Sequence, residues 1–190
     1  MSAATYVTVE AYGILDLPDA VRTRVLDRER TAAWDTWITD EVGEQLADGI
    51  AERLDGVEDV RVTAWSILDG GRGSMVVEGT VVDPDTFATS LGVAGHDVRL
   101  GLTLDPHHAN SSRWAGTTYV IRHDHDGPER DDVMSEALGD LIGDVLDTVA
   151  GWAEGVTSDD AIAEGLDAAG WWYDRLGRDL DPVIVDEVTS

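Results

Sequence analysis

A glycine-rich loop with one arginine, Gly70–Ser74, joins two apolar stretches near the middle of the chain. Glycine allows several backbone N–H groups to point at one spot, and the planar guanidinium beside them fits phosphate or carboxylate. The loop therefore predicts an anion-binding turn, with a plain flexible hairpin as the alternative. It is not a P-loop, because the G-x-x-x-x-G-K-S/T spacing is absent and the chain contains no lysine.

Further arginines are predicted to join this turn on one face of a sheet. Over residues 98–104 apolar residues alternate with Arg99, Gly101 and Thr103, which is typical of a strand with one covered face. Similar alternation places Arg61 and Arg122 on the open face if the strand registers agree. The predicted ligand-binding residues are Ser66, Gly71, Arg72, Gly73, Ser74, Arg99, Arg113 and Arg122. The alternative is that each arginine pairs with a nearby surface acid.

Histidines offer a second kind of chemistry in the same region. His123 and His125 are two residues apart and would share a face of a strand, and His107 and His108 lie in a loop that could approach them. Two or three imidazoles could hold zinc or another divalent ion, but the H-x-H pattern is a weak signal. The leading prediction therefore includes no metal and no cofactor. Cysteine and the G-x-S-x-G nucleophile pattern are absent, so catalysis is not predicted.

Charge is distributed unevenly along the chain. Its 13 arginines and 39 acids give a net charge of −26, yet residues 60–125 carry five arginines, seven acids and all five histidines. The acidic flanks disfavour direct binding of nucleic acid or of an anionic membrane. No apolar run reaches the roughly 18 residues of a membrane span, and the first residues do not resemble a signal peptide. A cytoplasmic protein is expected.

The helices and strands that the sequence predicts around these residues indicate an α+β fold. We expect a twisted antiparallel sheet of about five strands with helices packed on one face. The 190 residues are predicted to form one domain, with an N-terminal strand and two helices over 1–59, a β-rich middle over 60–125 and a helical part over 126–190. An exposed sheet face or the tryptophan-rich segments could also form a homodimer.

The C-terminal helix is predicted to carry an acidic row opposite its apolar face. Asp140, Asp144 and Asp147 lie about one turn apart, roughly 5–6 Å between neighbours. Such a row could imitate DNA phosphates and occupy the groove of a DNA-binding protein. The alternative is a solvated helix face in a protein whose acidity reflects a high-GC or salt-adapted genome.

Three stretches resemble, in order, a family of small phage and prophage proteins, some described as antitoxins of toxin–antitoxin systems. The stretches are Tyr12–Ala20, the Trp65-Ser66 strand running into Gly71–Ser74, and TSDDAIAEGLDAAGWWYDRLG at Thr157–Gly177. Arg72 replaces an acid of the family pattern, and Ser74 replaces an alanine. The resemblance implies a phage origin and a role in phage–host conflict, without an established activity.

Together these features predict a non-enzymatic phage counter-defence protein that acts in the cytoplasm of the infected cell. It would bind and sequester a small anionic, nucleotide-type immune signal at the sheet-face residues given above. The first alternative is an acidic DNA mimic or antitoxin-like inhibitor that contacts a host defence protein. The second is a metal-dependent hydrolase that uses the histidines.

Overall fold

The computed structural model describes residues 9–67, 73–95, 103–104, 119–124 and 133–180, with backbone only for the two short central segments. The chain divides into two compact units. One unit contains the described residues up to Thr39 and those from Glu154 onward, and the other runs from Asp40 to Ala153. The described residues are a mixture of helices and antiparallel strands, so the α+β class is confirmed.

The first unit is built from helices and a short β-ribbon. A 3₁₀ turn at Ile14–Asp16 precedes helix α1, Asp19–Ala33, which continues through a π-helical turn at Trp34–Ile38. Helix α5, Asp159–Ala168, follows later, and strands β5, Trp172–Tyr173, and β6, Asp179–Leu180, pair antiparallel. Its buried residues are Ile14, Leu17, Val25, Leu26, Ala163 and Tyr173.

Local chemistry explains the ends of these elements. The hydroxyl of Ser158 accepts a hydrogen bond from the Ala161 N–H and so caps α5 at the position that the sequence predicts. The Asp174 carboxylate accepts from the backbone N–H groups of Leu176 and Arg178, which closes the turn of the β-ribbon. Gly177 in that turn has a φ of +79°, a conformation that glycine adopts without steric cost.

The predicted N-terminal strand is largely wrong within the described residues. Between residues 9 and 14, only Tyr12 makes a β-bridge, to Tyr173, through two backbone hydrogen bonds of 2.9 Å. Ile14 already belongs to the 3₁₀ turn. This single bridge satisfies the N–H and C=O groups of the Tyr12 backbone, and residues 9–14 form no further β-ladder pairs.

The main sheet lies in the second unit. Its strands are β1, Val57–Ser66; β2, Ser74–Val81; β3, Thr103–Leu104; and β4, Tyr119–Asp124. They pair antiparallel in the order β1-β2-β4-β3. The expectation of one five-stranded sheet is therefore wrong for the described residues, which form this four-stranded sheet and the separate ribbon β5-β6. The prediction of antiparallel strand pairing is confirmed for the described strands.

One face of this sheet is covered and the other is more open. Along β2 the residues Met75, Val77, Gly79 and Val81 are buried, whereas the alternate residues are half-buried. Helix α2, Thr39–Ala51, approaches the covered side, because a Cβ at Gly43 would lie 3.4 Å from the indole Nε1 of Trp65. Trp65 is paired with the buried Met75. Helix packing on one face is thus consistent with the burial along β2.

The second unit also contains α4, which runs from Val133 and ends at Val156 in the first unit, and a short helix α3, Pro84–Ser90. Gly49 of α2 allows close packing on α4, since an added Cβ would lie 3.0 Å from Val145 Cγ1. Helix α3 was not predicted, although Asp83 and Pro84 form a recognisable start: the Asp83 side chain accepts from the Thr86 N–H. Among the described residues, no helix has the length and apolar character needed to cross a membrane.

Candidate ligand site on the open sheet face

Strand register brings two of the predicted arginine positions into one row on the open face. Arg61 of β1 pairs with Glu78 of β2, and Glu78 pairs in turn with Arg122 of β4. Residues directly opposite each other in an antiparallel ladder occupy the same face. Glu78 alternates with the buried Val77 and Gly79, so the row lies on the face opposite the covered side. The backbone registers of Arg61 and Arg122 therefore agree, whereas Arg99 lies outside the described residues.

The same face carries the hydroxyl residues next to the glycine-rich loop. Ser66, at the end of β1, pairs with Ser74, at the start of β2. Gly73 has a packing reason to be glycine, since an added Cβ would lie 2.9 Å from the Ser66 carbonyl oxygen and 3.0 Å from Leu146 Cδ2. This position is therefore explained by close contact as well as by any ligand.

Strand β1 is interrupted by two irregularities in its pairing with β2. The first lies between Glu58 and Arg61 and adds one residue on β1, and the second lies between Val62 and Ala64. Within the first, Asp59 adopts a φ of +56°. Such β-bulges bend a strand and redirect its side chains, and they are frequent next to functional sites.

Gly79 allows the bulged segment to approach β2 closely. A Cβ at this position would lie 3.0 Å from Val57 Cγ1 and 3.5 Å from Val60 Cγ2. Because those valine methyl groups occupy the space, glycine is the residue that fits opposite the bulge. The bulge and this glycine together shape the surface beside the arginine row.

A surface depression of about 400 Å³ lies at this place. It is lined by Asp59, Val60, Arg61, Glu78, Gly79 and Thr80. The volume falls within the range of small-molecule sites, roughly 300–1,000 Å³. The sheet-face prediction therefore coincides with a concavity large enough for a small ligand.

Both hydrogen-bond donors and acceptors line the depression. Arg61 Nη2 lies 3.3 Å from Glu78 Oε2, and the Arg61 side chain is 71% exposed while that of Glu78 is 24% exposed. The guanidinium therefore has donors directed to solvent, because one carboxylate oxygen uses only part of its fork. Asp59 is exposed and adds a carboxylate, and Thr80 belongs to the same lining. This arrangement suits binding of a ligand that has an anionic group and hydrogen-bond donors.

The remaining predicted site residues are only partly covered by the structure. Ser66, Gly73 and Ser74 are described, and Arg122 is placed by its backbone register. Gly71, Arg72, Arg99 and Arg113 lie outside the described residues. The predicted pairing of arginines with nearby acids, the alternative to a basic patch, is borne out for Arg61 by its contact with Glu78.

The histidine alternative is only partly covered as well. His123 pairs with Val77 and so has a register position in the row of the covered face, unlike its neighbour Arg122. His107, His108 and His125 lie outside the described residues. Within the described segments no group of three or more histidine and acidic side chains could hold a metal ion. The metal site therefore stays a sequence-based alternative.

Sequence reasoning missed Asp59, Glu78 and Thr80 as members of the site. Their sequence context, EDVRV in β1 and VEGTV in β2, reads as ordinary strand alternation. The bulge that brings Asp59 to the depression depends on cross-strand register, which a single strand does not encode. Gly79 in the interior of β2 was the available signal, since glycine inside a strand often marks a bulge or a close approach.

Acidic rows lie on the solvent side of two helices of the second unit. Asp140, Asp144 and Asp147 of α4 are exposed, as predicted. Helix α2 carries a similar exposed row, which comprises Asp40, Glu44 and Asp48. Both helices bury the opposite side, and α2 contacts α4 at Gly49.

Comparison with known proteins adds no assignment to this geometry. No family model, no curated protein and no solved structure matches the chain. The resemblance to small phage proteins consequently stays a prediction that rests on the three sequence stretches given above. Any function must be argued from the residues themselves.

Proposed function

We propose that the protein binds a small anionic, nucleotide-type ligand at the open sheet face and sequesters it without converting it. The observation that supports this proposal is the depression of about 400 Å³ beside the row of Arg61, Glu78 and Arg122. Sequence alternation predicted Arg61 and Arg122 on the open face, and Arg61 and Glu78 of the row line the depression. A ligand that contacts Arg61 would occupy the side of the sheet that the helices leave open.

The Arg61 guanidinium supplies the anion contact. It is held in place by one ion pair at 3.3 Å, and most of its surface is exposed. A phosphate can accept two parallel N–H bonds from such a planar group, which gives orientation as well as affinity. The local contact is effective despite the charge of −26, because salt at physiological strength screens exposed charges beyond about 8 Å.

Glu78 limits the affinity for an anion. Its carboxylate contacts Arg61 and stands between two arginine positions of the row. A bound phosphate therefore shares the guanidinium with Glu78. This competition favours moderate affinity and provides a direct way to test the site.

Calorimetry with a panel of cyclic nucleotides, linear nucleotides and ADP-ribose tests the proposal. We expect one class to bind, and Arg61→Ala to weaken its binding by about 10- to 150-fold, since a hydrogen bond to a charged group contributes roughly 1.5–3 kcal/mol. Arg72→Ala tests the glycine-rich loop in the same way. Arg53→Ala is the matched control, because it removes an equal charge from an exposed position just after α2.

Four outcomes distinguish binding from its alternatives. A ligand recovered chemically unchanged after long incubation supports sequestration, whereas conversion to a product shows an enzyme. Equal loss of affinity in Arg53→Ala and Arg61→Ala shows a general charge effect. No binding by any member of the panel removes the proposal.

A second candidate is inhibition by contact with a basic protein surface, as a DNA mimic or antitoxin-like protein. It is favoured by the exposed rows on α2 and α4, each with a carboxylate about every 6 Å along the axis. No ion pair is found for Asp140, Asp144 or Asp147 among the described residues.

A displacement assay tests this second candidate. The protein is titrated into a nonspecific basic DNA-binding protein that holds a fluorescent duplex. Neutralising Asp140, Asp144 and Asp147 to Asn should weaken displacement and its salt dependence. The matched control neutralises Asp160, Glu164 and Asp167 of α5, three exposed acids with the same total charge. Equal effects of the two triple variants would reject a specific role for α4.

A further inference from the structure

We infer that the depression takes a ribonucleotide, with Arg61 on the phosphate and the Asp59 carboxylate accepting hydrogen bonds from the ribose hydroxyls. The inference rests on the proposed function and specifies its ligand. It starts from Asp59, which is exposed, lines the depression and has a backbone conformation that is unusual for a strand residue.

The backbone at Asp59 favours glycine over aspartate. Its φ of +56° lies in the left-handed region, and the first residue of a bulge of this kind is commonly glycine. Aspartate and asparagine are tolerated there better than other side chains, but glycine adopts it without steric cost. A side chain at such a position is most simply explained by what the side chain contacts.

The Asp59 carboxylate is available for a ligand. Among the described residues it makes no hydrogen bond or ion pair, whereas the Glu78 carboxylate contacts Arg61 at 3.3 Å. A free carboxylate accepts hydrogen bonds and donates none. Its ligand must therefore present hydroxyl or amine donors, and a vicinal diol presents two at a spacing that matches one carboxylate.

Spacing and size favour a ribonucleotide over a smaller zwitterion. Asp59 and Arg61 are two residues apart on β1 and both line the depression, so their backbones lie at most about 7 Å apart. A nucleoside monophosphate separates its phosphate from its ribose hydroxyls by a comparable length. An amino acid would also pair its two charged groups with Arg61 and Asp59, but it would fill only a small part of a depression of about 400 Å³.

The recognition of ribose by an acidic residue has a clear physical basis. In dinucleotide-binding sites a carboxylate accepts hydrogen bonds from ribose hydroxyls, which discriminates against sugars that lack or modify them. Loss of one such hydroxyl leaves one carboxylate oxygen without its hydrogen-bond donor and weakens binding. A 2′-deoxynucleotide should therefore bind less well at this depression.

The experiment measures the affinity of AMP, GMP, CMP and UMP and of their 2′-deoxy counterparts for the full chain by calorimetry. We expect one ribonucleotide to bind at least fivefold tighter than its deoxy form. Asp59→Asn and Asp59→Gly should remove that preference while affinity for the deoxy form changes less than twofold. Asp48→Asn, an exposed acid of α2, controls for the lost charge.

Urea unfolding of the same variants separates recognition from folding. Glycine and asparagine both accept a φ of +56°, so neither variant should have a lower unfolding midpoint than the native protein. Loss of ribose preference with an unchanged midpoint supports the inference. A lower midpoint in both variants would mean that Asp59 stabilises the bulge, and it would overturn the inference.

The outcomes distinguish this inference from the proposed function. Equal binding of ribo- and deoxyribonucleotides that depends on Arg61 overturns the role of Asp59 and leaves anion binding intact. Tight binding of free amino acids in place of nucleotides overturns the ligand class. Absence of binding by every nucleotide, including the cyclic nucleotides and ADP-ribose of the first panel, removes both.

Discussion

The Glu78→Gln substitution gives the sharpest test of the proposed site, because it should improve binding. In the native protein the Glu78 carboxylate contacts the same guanidinium that a phosphate would use. Glutamine keeps the length and shape of the side chain and removes its charge. The bound anion then faces Arg61 without a competing carboxylate, and the glutamine amide can itself donate a hydrogen bond.

The size of the gain follows from charge separation and exposure. Two like charges about 6 Å apart repel by about 0.7 kcal/mol in water and by more where solvent is excluded. Arg61 is 71% exposed and Glu78 is 24% exposed, so solvent screening keeps the effect near that of surface ion pairs, roughly 0.5–1 kcal/mol. We therefore expect affinity for the ligand to rise by about two- to fivefold.

Calorimetry at low salt and at about 1 M salt measures this gain. The high-salt measurement should reduce the difference between Glu78→Gln and the native protein, since the screening length falls to roughly 3 Å. Asp48→Asn removes the same charge from α2 and should leave affinity unchanged. Unchanged or weaker binding by Glu78→Gln would contradict the placement of the anion on Arg61.

Four further substitutions test the first unit. Gly177→Ala should destabilise the protein by about 2–5 kcal/mol in urea unfolding, because its Cβ would meet Val25 Cγ2 at 2.8 Å at a φ of +79°. Gly170→Ala, at a φ of +69° with nothing within 4 Å, should cost only about 1–2 kcal/mol, and equal costs would refute the packing argument. Tyr173→Phe should raise stability by about 1 kcal/mol, because the buried hydroxyl has no partner among the described residues, and a loss would show that the hydroxyl is satisfied. Asp174→Asn should lower the urea midpoint at pH 7, and the deficit should shrink as pH falls below about 4; a constant deficit would refute a role for the charge.

The sign of this last pH dependence follows from the turn of the β-ribbon. Hydrogen bonds from the Arg178 backbone, with smaller contributions from the Arg178 side chain and the Leu176 N–H, hold the pKa of the Asp174 carboxyl below its usual value. A depressed folded-state pKa gives stability above the unfolded-state pKa, and that stability is lost as pH falls through the folded-state value. The carboxylate is therefore a stabilising group only while it is ionised.

Local patterns in the sequence predict much of the fold correctly. The apolar face of α4 and the strands β1, β2 and β4 follow from patterns of neighbouring residues, and the structure contains each of these elements. The predicted N-terminal strand is wrong within the described residues, because its pairing partner is distant in sequence. Tyr12 forms a single β-bridge, to Tyr173.

Less of the candidate site than of the fold can be predicted from patterns within single strands. Alternation places Arg61 on the open face, and the register with Glu78 and Arg122 then follows from pairing. The depression itself requires the extra residue at Asp59, and nothing in the EDVRV sequence distinguishes a bulged from a regular strand. A bulge is a property of two strands together, so single-strand patterns do not encode it.

The local geometry of the depression favours an anionic ligand, whereas the net charge of −26 repels one. Which effect is larger depends on the distance between the ligand and the protein. The charge of −26 acts on an approaching anion over the whole surface, but salt screens it within about 8 Å. At the depression a ligand experiences Arg61, Asp59 and Glu78 at contact distance, where hydrogen-bond geometry dominates. The acidic surface should therefore slow the association of anions more than it weakens the bound state. The expected kinetic signature is an association rate that depends on salt more strongly than the dissociation rate does, and a salt dependence confined to the dissociation rate would contradict this view.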